Sequence, residues 1–145
     1  MAGKPIFEEF HARREHANEI ISAEHFTPYN RFFALDSRAY EEGTLPVKMK
    51  ELMGLVGSMV LRCNDCILYH IDKSVQAGAS RRELNEAMNI ALVIGGSIVI
   101  PHLRFAMTAL EEILPQEKNP PGKNSFQQTV SPGGVEGSAG TERED

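Results

Sequence analysis

The sequence has little positive charge and no long apolar run. Its 15 Lys and Arg are outnumbered by 20 Asp and Glu, which gives a formal net charge of −5 at pH 7. Nucleic acids and anionic membranes attract basic surfaces, so neither is expected as the main partner. The longest apolar stretch, IALVIGGSIVIP at residues 90–101, is far short of the roughly 20 residues that a membrane span needs.

Cysteine is scarce, and a signal peptide is not recognisable. The first ten residues, MAGKPIFEEF, lack the apolar segment of a secretory signal, so we expect a cytoplasmic protein. The chain has only two cysteines, Cys63 and Cys66, three positions apart. In a reducing compartment such a pair is more often catalytic or metal-binding than a structural staple.

Strand-like alternation of polar and apolar residues is missing, whereas helical spacing recurs throughout the chain. We therefore predict an all-α fold, a compact bundle of about six helices within residues 1–115. Thr27 and Ser80 are predicted N-caps, and Glu83 completes a capping box with Ser80. The predicted helices cover approximately residues 6–25, 27–42, 46–61, 64–76, 80–96 and 97–114.

Residues 116–145 differ in composition from the rest. They are rich in Pro, Gly, Ser and charged residues and have little apolar content to bury. The sequence therefore predicts a disordered polar tail after the helical domain.

The third predicted helix is apolar around most of its circumference. Such a helix is expected to be buried in a packed protein or in an assembly. Gly54, Gly57 and Ser58 would allow neighbouring helices to approach it closely. We therefore expect this helix to lie at the centre of the bundle.

The fourth predicted helix begins near the cysteines. Cys66 and His70 are four residues apart, so they share one face of that helix. Cys63 would precede or open its first turn, where unpaired N–H groups and the helix dipole stabilise a thiolate. The thiolate is the reactive form of cysteine, so this location favours redox chemistry.

Glu51 lies among apolar residues of the third helix. If the third and fourth helices form a hairpin, Glu51 comes level with His70. A buried carboxylate needs a partner, because an unpaired buried charge is very costly. We predict a Glu51–His70 pair that holds the imidazole in one tautomer and raises its basicity, so that it can accept the Cys66 proton.

Two other interpretations of the thiols stay open at this point. A zinc site would need further ligands, for which only the distant His102 is a candidate. Two inert thiols in a structural helical module are the other alternative. Covalent c-type haem is excluded, because Ile67 occupies the position directly after the second cysteine, where that motif needs histidine.

The spacing Glu51-x11-Cys63-x2-Cys66-x3-His70, preceded by LPVKMKELMGLV, resembles the alkylhydroperoxidase D-like branch of the carboxymuconolactone decarboxylase superfamily. The similarity covers roughly residues 45–114. The resemblance implies an all-α fold that assembles as a homo-oligomer, commonly a trimer or hexamer.

The resemblance also implies an activity and a set of catalytic residues. Cys66 would be the attacking thiol, Cys63 the resolving thiol, and Glu51 and His70 the proton relay. The substrate would be a hydroperoxide or a disulfide, and the reductant a thioredoxin-like or lipoyl-bearing dithiol protein. No metal, flavin or nucleotide cofactor is required, and no Gly-rich phosphate loop is present in the sequence.

One residue departs from the family pattern. Well-known peroxidases of this kind have a second histidine directly before the second cysteine, whereas this chain has Asp65. The negative charge of Asp65 opposes thiolate formation. A decarboxylase-type enzyme, in which Glu51 or His70 performs acid–base chemistry on a lactone and the thiols are incidental, is a separate alternative, although the decarboxylase branch of the family lacks this cysteine pair.

Overall fold

The structure, a computed structural model, describes residues 5–115; the predicted tail, residues 116–145, lies outside the described residues. Within residues 5–115 every regular element is helical, so the predicted all-α class is confirmed. The elements are α1 (Ile6–Ala23), α2 (Thr27–Ala39), α3 (Val47–Val60), α4 (Asn64–Gln76), α5 (Arg81–Gly95), a 3₁₀ turn (Gly96–Val99) and α6 (Ile100–Ile113).

Helix α3 is the centre of the bundle and packs against α4 and α5. Its Leu55 and Met59 are fully buried among apolar residues of the neighbouring helices, which include Ile67, Ile71 and Leu84. One side of α3 carries no such cover, since Met49 and Met53 are 47% and 55% exposed. The predicted burial is therefore present on the side that faces α4 and α5, and burial of the other side in an assembly stays a prediction.

A tight reversal joins α3 to α4 and fixes the position of the cysteines. Arg62 has the left-handed φ of 60°, and the Cys63 N–H donates to the Ser58 carbonyl at 3.0 Å. This hydrogen bond closes the end of α3 while the chain turns back. The two helices therefore run as a hairpin, and residues of α3 and α4 at equal distance from the turn face each other.

Helices α1 and α2 are attached to this core in different ways. Helix α1 buries Phe7 and Phe10, whereas α2 buries no residue. The start of α2 also differs from the sequence prediction. Thr27 is not the N-cap but the first helical residue, because His25 adopts a left-handed φ of 50° and Phe26 then takes the extended N-cap conformation.

The predicted capping box at the start of α5 is confirmed. The Ser80 hydroxyl accepts the Glu83 N–H, and the Glu83 carboxylate accepts the Ser80 N–H at 2.8 Å. The Lys48 ammonium, 2.8 Å from the Glu83 carboxylate, and the hydrogen bonds from Ser80 lower the pKa of Glu83 from 4.5 to about 2. Ionised Glu83 therefore ties α3 to the first turn of α5.

This lowered pKa predicts a pH-dependent contribution to stability. The contribution is fully present above about pH 4.5 and disappears as the pH falls towards 2, since the unfolded state then binds the proton more readily. The Glu83→Gln variant should therefore unfold more easily than wild type at pH 6, and the difference should shrink by pH 2. Urea unfolding at both pH values measures this. Glu86→Gln, which removes the exposed pair with Arg82, is the control. If the loss of stability changed with pH to the same extent in both variants, the lowered pKa of Glu83 would not be its cause.

Residues 81–113, from α5 through the 3₁₀ turn to α6, are long and apolar enough by length and composition to cross a membrane. Core helices of soluble proteins meet the same criterion. Leu84, Met88 and Leu110 of this stretch are fully buried in the bundle, and Gly96, with φ of 73°, interrupts its α-helical geometry. Only 17% of the 18-residue segment that meets the criterion is buried, so the stretch supplies core residues and also exposes apolar side chains such as Val93 and Ile94.

Candidate active site

The two cysteines lie at the head of α4 and form a disulfide in this structure. Cys63 is the N-cap residue, and its sulfur accepts the backbone N–H of Cys66 at 3.3 Å. Cys66 lies in the first helical turn and is exposed, whereas Cys63 is half-buried. The sulfur that accepts a hydrogen bond from the helix N-terminus is therefore that of Cys63, and Cys66 is the more exposed of the two residues.

The predicted contact between Glu51 and His70 is present. His70 Nδ1 lies 2.8 Å from Glu51 Oε2, and the two residues are only 9% and 4% exposed. A carboxylate can only accept, so Nδ1 carries the hydrogen that it donates and Nε2 is left free to take up a proton. The pair thus holds His70 in the tautomer that a general base requires, although its catalytic role stays a prediction.

A glycine and two tyrosines surround the His70 imidazole. A Cβ added at Gly54 would lie within 2.8 Å of both ring nitrogens and Cε1, so α3 must have glycine where the ring packs. The ring of Tyr40 lies 5.3 Å from the imidazole, and that of Tyr69 meets it edge-on at 5.1 Å. These contacts fix the orientation of the imidazole from three directions.

The same two tyrosines are not suited to act as the general base that takes up the thiol proton. Burial, followed by the charge of Glu51, raises the pKa of Tyr40 and of Tyr69 above 10. Both hydroxyls therefore remain protonated at neutral pH. Neither hydroxyl can therefore act as the base that takes up the thiol proton.

A cavity of about 510 Å³ gives access to the reactive groups. Cys66 and His70 both line it, so the two residues border the same space. Its volume lies in the range of small-molecule binding sites, which is about 300–1,000 Å³. The remaining walls come from α1, α2 and α4: Phe10, Arg13, Arg14, Ala17, Asn18, Asp36, Asp65 and Tyr69.

Asp65, the departure from the family pattern, is neutralised by a neighbouring helix. Arg13 of α1 donates to its carboxylate at 2.7 Å. The pair is largely exposed, with both side chains about 60% accessible, so water and salt weaken its effect. The charge that would oppose a Cys66 thiolate therefore has a compensating cation beside it.

The effect of Arg13 on the Asp65 charge can be measured through the reactivity of Cys66. The measured quantity is the rate at which iodoacetamide alkylates Cys66 in the reduced Cys63→Ser variant, which serves as the parent protein. Arg13→Gln should slow the reaction and Asp65→Asn should speed it, each by roughly two- to fivefold at low salt, as expected for an exposed pair. The double variant should react at close to the rate of its parent, because the paired charges cancel. In 1 M NaCl the differences should disappear; equal rates for Arg13→Gln and its parent at low salt would refute the compensation.

The structure does not support a zinc site among the described residues. No group of three or more His, Cys, Asp or Glu within residues 5–115 is placed to hold a metal ion. His102, the candidate further ligand, instead lies 2.7 Å from the Asn64 side chain. This contact places His102 against the first residue of α4.

The comparison with family models decides the family. The model described as the carboxymuconolactone decarboxylase family matches residues 28–112, more than half of the chain. The chain belongs to this family. The resemblance inferred from the four-residue spacing is thereby confirmed, and the matched region contains all of α3, α4 and α5.

Solved structures of the family share the fold. A Thermotoga maritima protein is 55% identical, with a TM-score of 0.71, and the match covers 73% of this chain and 93% of that one. A second crystal structure of the same Thermotoga maritima protein is 56% identical, with a TM-score of 0.69, and the match covers 72% of this chain and 89% of that one. Its description names a carboxymuconolactone decarboxylase family protein possibly involved in antioxidative response. A family protein from Legionella pneumophila is 28% identical, with a TM-score of 0.55, and the match covers 75% of this chain and 90% of that one.

Relatives among curated proteins are uncharacterised. One from Cupriavidus necator is 32% identical over 72 residues, which are 50% of this chain and 61% of that protein. One from Paracoccus denitrificans, the uncharacterised protein 4 in the cox locus, is 27% identical over 82 residues, 57% and 74% of the two chains. The chain thus spans less than two thirds of the Cupriavidus protein.

Proposed function

We propose that this protein is a thiol peroxidase that reduces hydroperoxides with its Cys63–Cys66 pair and is reset by an external dithiol. One observation carries the proposal: the exposed Cys66 shares a cavity with His70, which a buried Glu51 holds as a proton acceptor. The possible antioxidative involvement of the similar Thermotoga maritima protein supports the same chemistry. No cofactor enters the proposed cycle.

In the first step reduced Cys66 attacks the hydroperoxide. His70 Nε2 takes the proton of the Cys66 thiol, and the thiolate then attacks the terminal peroxide oxygen and breaks the O–O bond. Cys66 becomes a sulfenic acid, and the leaving alkoxide receives the proton from His70 as an alcohol. The buried Glu51 carboxylate stabilises the imidazolium between these two transfers.

In the second step the Cys63 thiol condenses with the Cys66 sulfenic acid. The S–O bond breaks, one water is released, and the disulfide seen in this structure forms. The Cα atoms of the two residues are 5.3 Å apart, within the usual distance for a disulfide, so α4 can keep its position during the step.

In the third step an external dithiol reduces the pair, which makes a thioredoxin-like or lipoyl-bearing protein the proposed partner. Its thiolate attacks the exposed Cys66 sulfur, and Cys63 leaves as a thiolate that accepts the Cys66 N–H. The second thiol of the reductant then releases Cys66. Each cycle converts one hydroperoxide and one dithiol into one alcohol, one water and one disulfide.

The proposal extends to assembly and location. Large apolar side chains are exposed on α2 and α5, among them Phe32 at 66%, Leu35 at 67% and Val93 at 76%. Exposed large apolar side chains in such numbers are typical of protein interfaces. We therefore propose a homo-oligomer, trimeric or hexameric, that acts in the cytoplasm, and sedimentation analysis of the purified protein measures the subunit number.

Turnover with a hydroperoxide and a dithiol tests the proposed function. Metal-free wild type with cumene hydroperoxide and dihydrolipoamide should form one alcohol for each dithiol oxidised. The Cys66→Ser variant should lose this turnover. If the protein were instead a decarboxylase-type enzyme, the same variant would keep its activity on a lactone. A wild type that stays reduced in excess hydroperoxide at pH 7 would exclude the peroxidase.

A further inference from the structure

Arg14 is an exposed cation that lines the reactive cavity and has no anionic partner among the described residues. Its guanidinium lies 4.7 Å above the Tyr69 ring. Among the described residues no carboxylate or carbonyl oxygen lies within hydrogen-bond distance of its nitrogens, in contrast to Arg13, which pairs with Asp65. The Tyr69 ring holds the guanidinium in place by a cation–π contact and uses none of its five N–H donors.

Asn18 accompanies Arg14. It lies one helical turn further along α1, and its side chain has no hydrogen-bond partner among residues 5–115. Both residues line the cavity that contains Cys66 and His70, and both line an adjoining cavity of about 310 Å³ between α1 and α2. The Arg14 guanidinium and the Asn18 amide thus provide hydrogen-bond donors without a protein partner in the cavity that Cys66 lines.

The size and lining of the cavity define the rest of the ligand. Phe10, Ala17 and Tyr69 give it an apolar wall, and its 510 Å³ far exceeds the volume of hydrogen peroxide. The Arg13–Asp65 pair contributes no net charge. Arg14 and Asp36, on facing helices, are the remaining fixed charges of the lining, and no ion pair joins them.

We propose that Arg14, assisted by Asn18, selects organic hydroperoxides that carry a carboxylate. The guanidinium and the Asn18 amide bind the carboxylate, the apolar wall takes the hydrocarbon part, and the peroxide group reaches Cys66. A planar guanidinium suits this role because it binds a carboxylate through two parallel hydrogen bonds. Asp36 opposes the same anion from α2. This inference rests on the proposed peroxidase function.

The test compares cumene hydroperoxide with its para-carboxylate, two substrates that differ only in the charged group. Wild type should show a kcat/KM about tenfold higher for the carboxylate, as expected from a charge-assisted hydrogen bond. Arg14→Gln should remove this preference mainly through KM, and Asp36→Asn should increase it. Arg14→Lys, which keeps the charge but loses the planar fork, should retain part of it.

Arg104→Gln is the matched control, since Arg104 is exposed on α6 and lines none of the cavities described above. It should leave both kcat/KM values unchanged. Three results would overturn the inference and leave the proposed peroxidase function untouched. They are an unchanged carboxylate preference in Arg14→Gln, a lower preference in Asp36→Asn, and equal kcat/KM values for the two substrates in wild type. A wild type that turns over neither substrate would remove the proposed function as well.

Discussion

Replacing Cys66 with serine is expected to abolish hydroperoxide reduction, with a loss of roughly three orders of magnitude or more in the rate of peroxide consumption. The hydroxyl that remains is a far poorer nucleophile than a thiolate at pH 7, and no other thiol lies in the first turn of α4. Substitution of a catalytic nucleophile commonly costs this much or more. Stopped-flow measurement of peroxide consumption by the pre-reduced protein gives the rate.

Cys63→Ser is the matched control, because it keeps the attacking thiol and removes only the resolving one. This variant should still consume one equivalent of hydroperoxide and then stop with a sulfenic acid on Cys66, which a dimedone adduct identifies by mass spectrometry. If Cys63→Ser lost the first turnover and Cys66→Ser kept it, the assignment of attacking and resolving thiols would have to be exchanged.

Gly54→Ala is expected to lower the rate of disulfide formation by about two orders of magnitude, although residue 54 contacts no substrate. The new methyl group would occupy the space of the His70 ring, within 2.8 Å of both of its nitrogens. The ring must move, and its hydrogen bond to Glu51 is lost or misaligned. General-base catalysis contributes about 10²–10⁴-fold to a rate, so a displaced imidazole forfeits much of that factor.

Gly57→Ala provides the control on the same helix. A Cβ at Gly57 would meet no atom within 4 Å, so this variant should keep wild-type activity and gain slightly in helix stability. Thermal unfolding of both variants separates a displaced imidazole from a failure to fold, since overpacking costs about 1–3 kcal/mol. Full activity in Gly54→Ala would show that the position of His70 is not required for the chemistry.

The core of the site was predictable because its geometry is set by local rules. Helical spacing places Cys66 and His70 on one face of α4, and a hairpin between two adjacent helices brings Glu51 level with His70. Both relations depend only on the helical repeat and on the sharp turn at Arg62. The cost of burying a lone carboxylate then indicated the partner of Glu51.

The surroundings of the site were not predictable from the same patterns. Arg13, Arg14 and Tyr40 come from α1 and from the end of α2, and their positions depend on how these helices dock on the hairpin. The buried Phe7 and Phe10 attach α1 to the core, but no local rule gives the angle at which it packs there. The neutralisation of Asp65 by Arg13 could therefore be found only in the structure.

The most direct test of the proton relay is the rate of disulfide formation between Cys63 and Cys66. This rate is measured at pH 7 after adding one equivalent of hydroperoxide to pre-reduced wild type and to pre-reduced Glu51→Gln. Glutamine keeps the shape of Glu51 but removes the charge that stabilises a protonated His70. The account predicts one disulfide per peroxide in wild type and about 10²-fold slower formation in Glu51→Gln, with the fold retained by circular dichroism. Equal rates in the two proteins would contradict it.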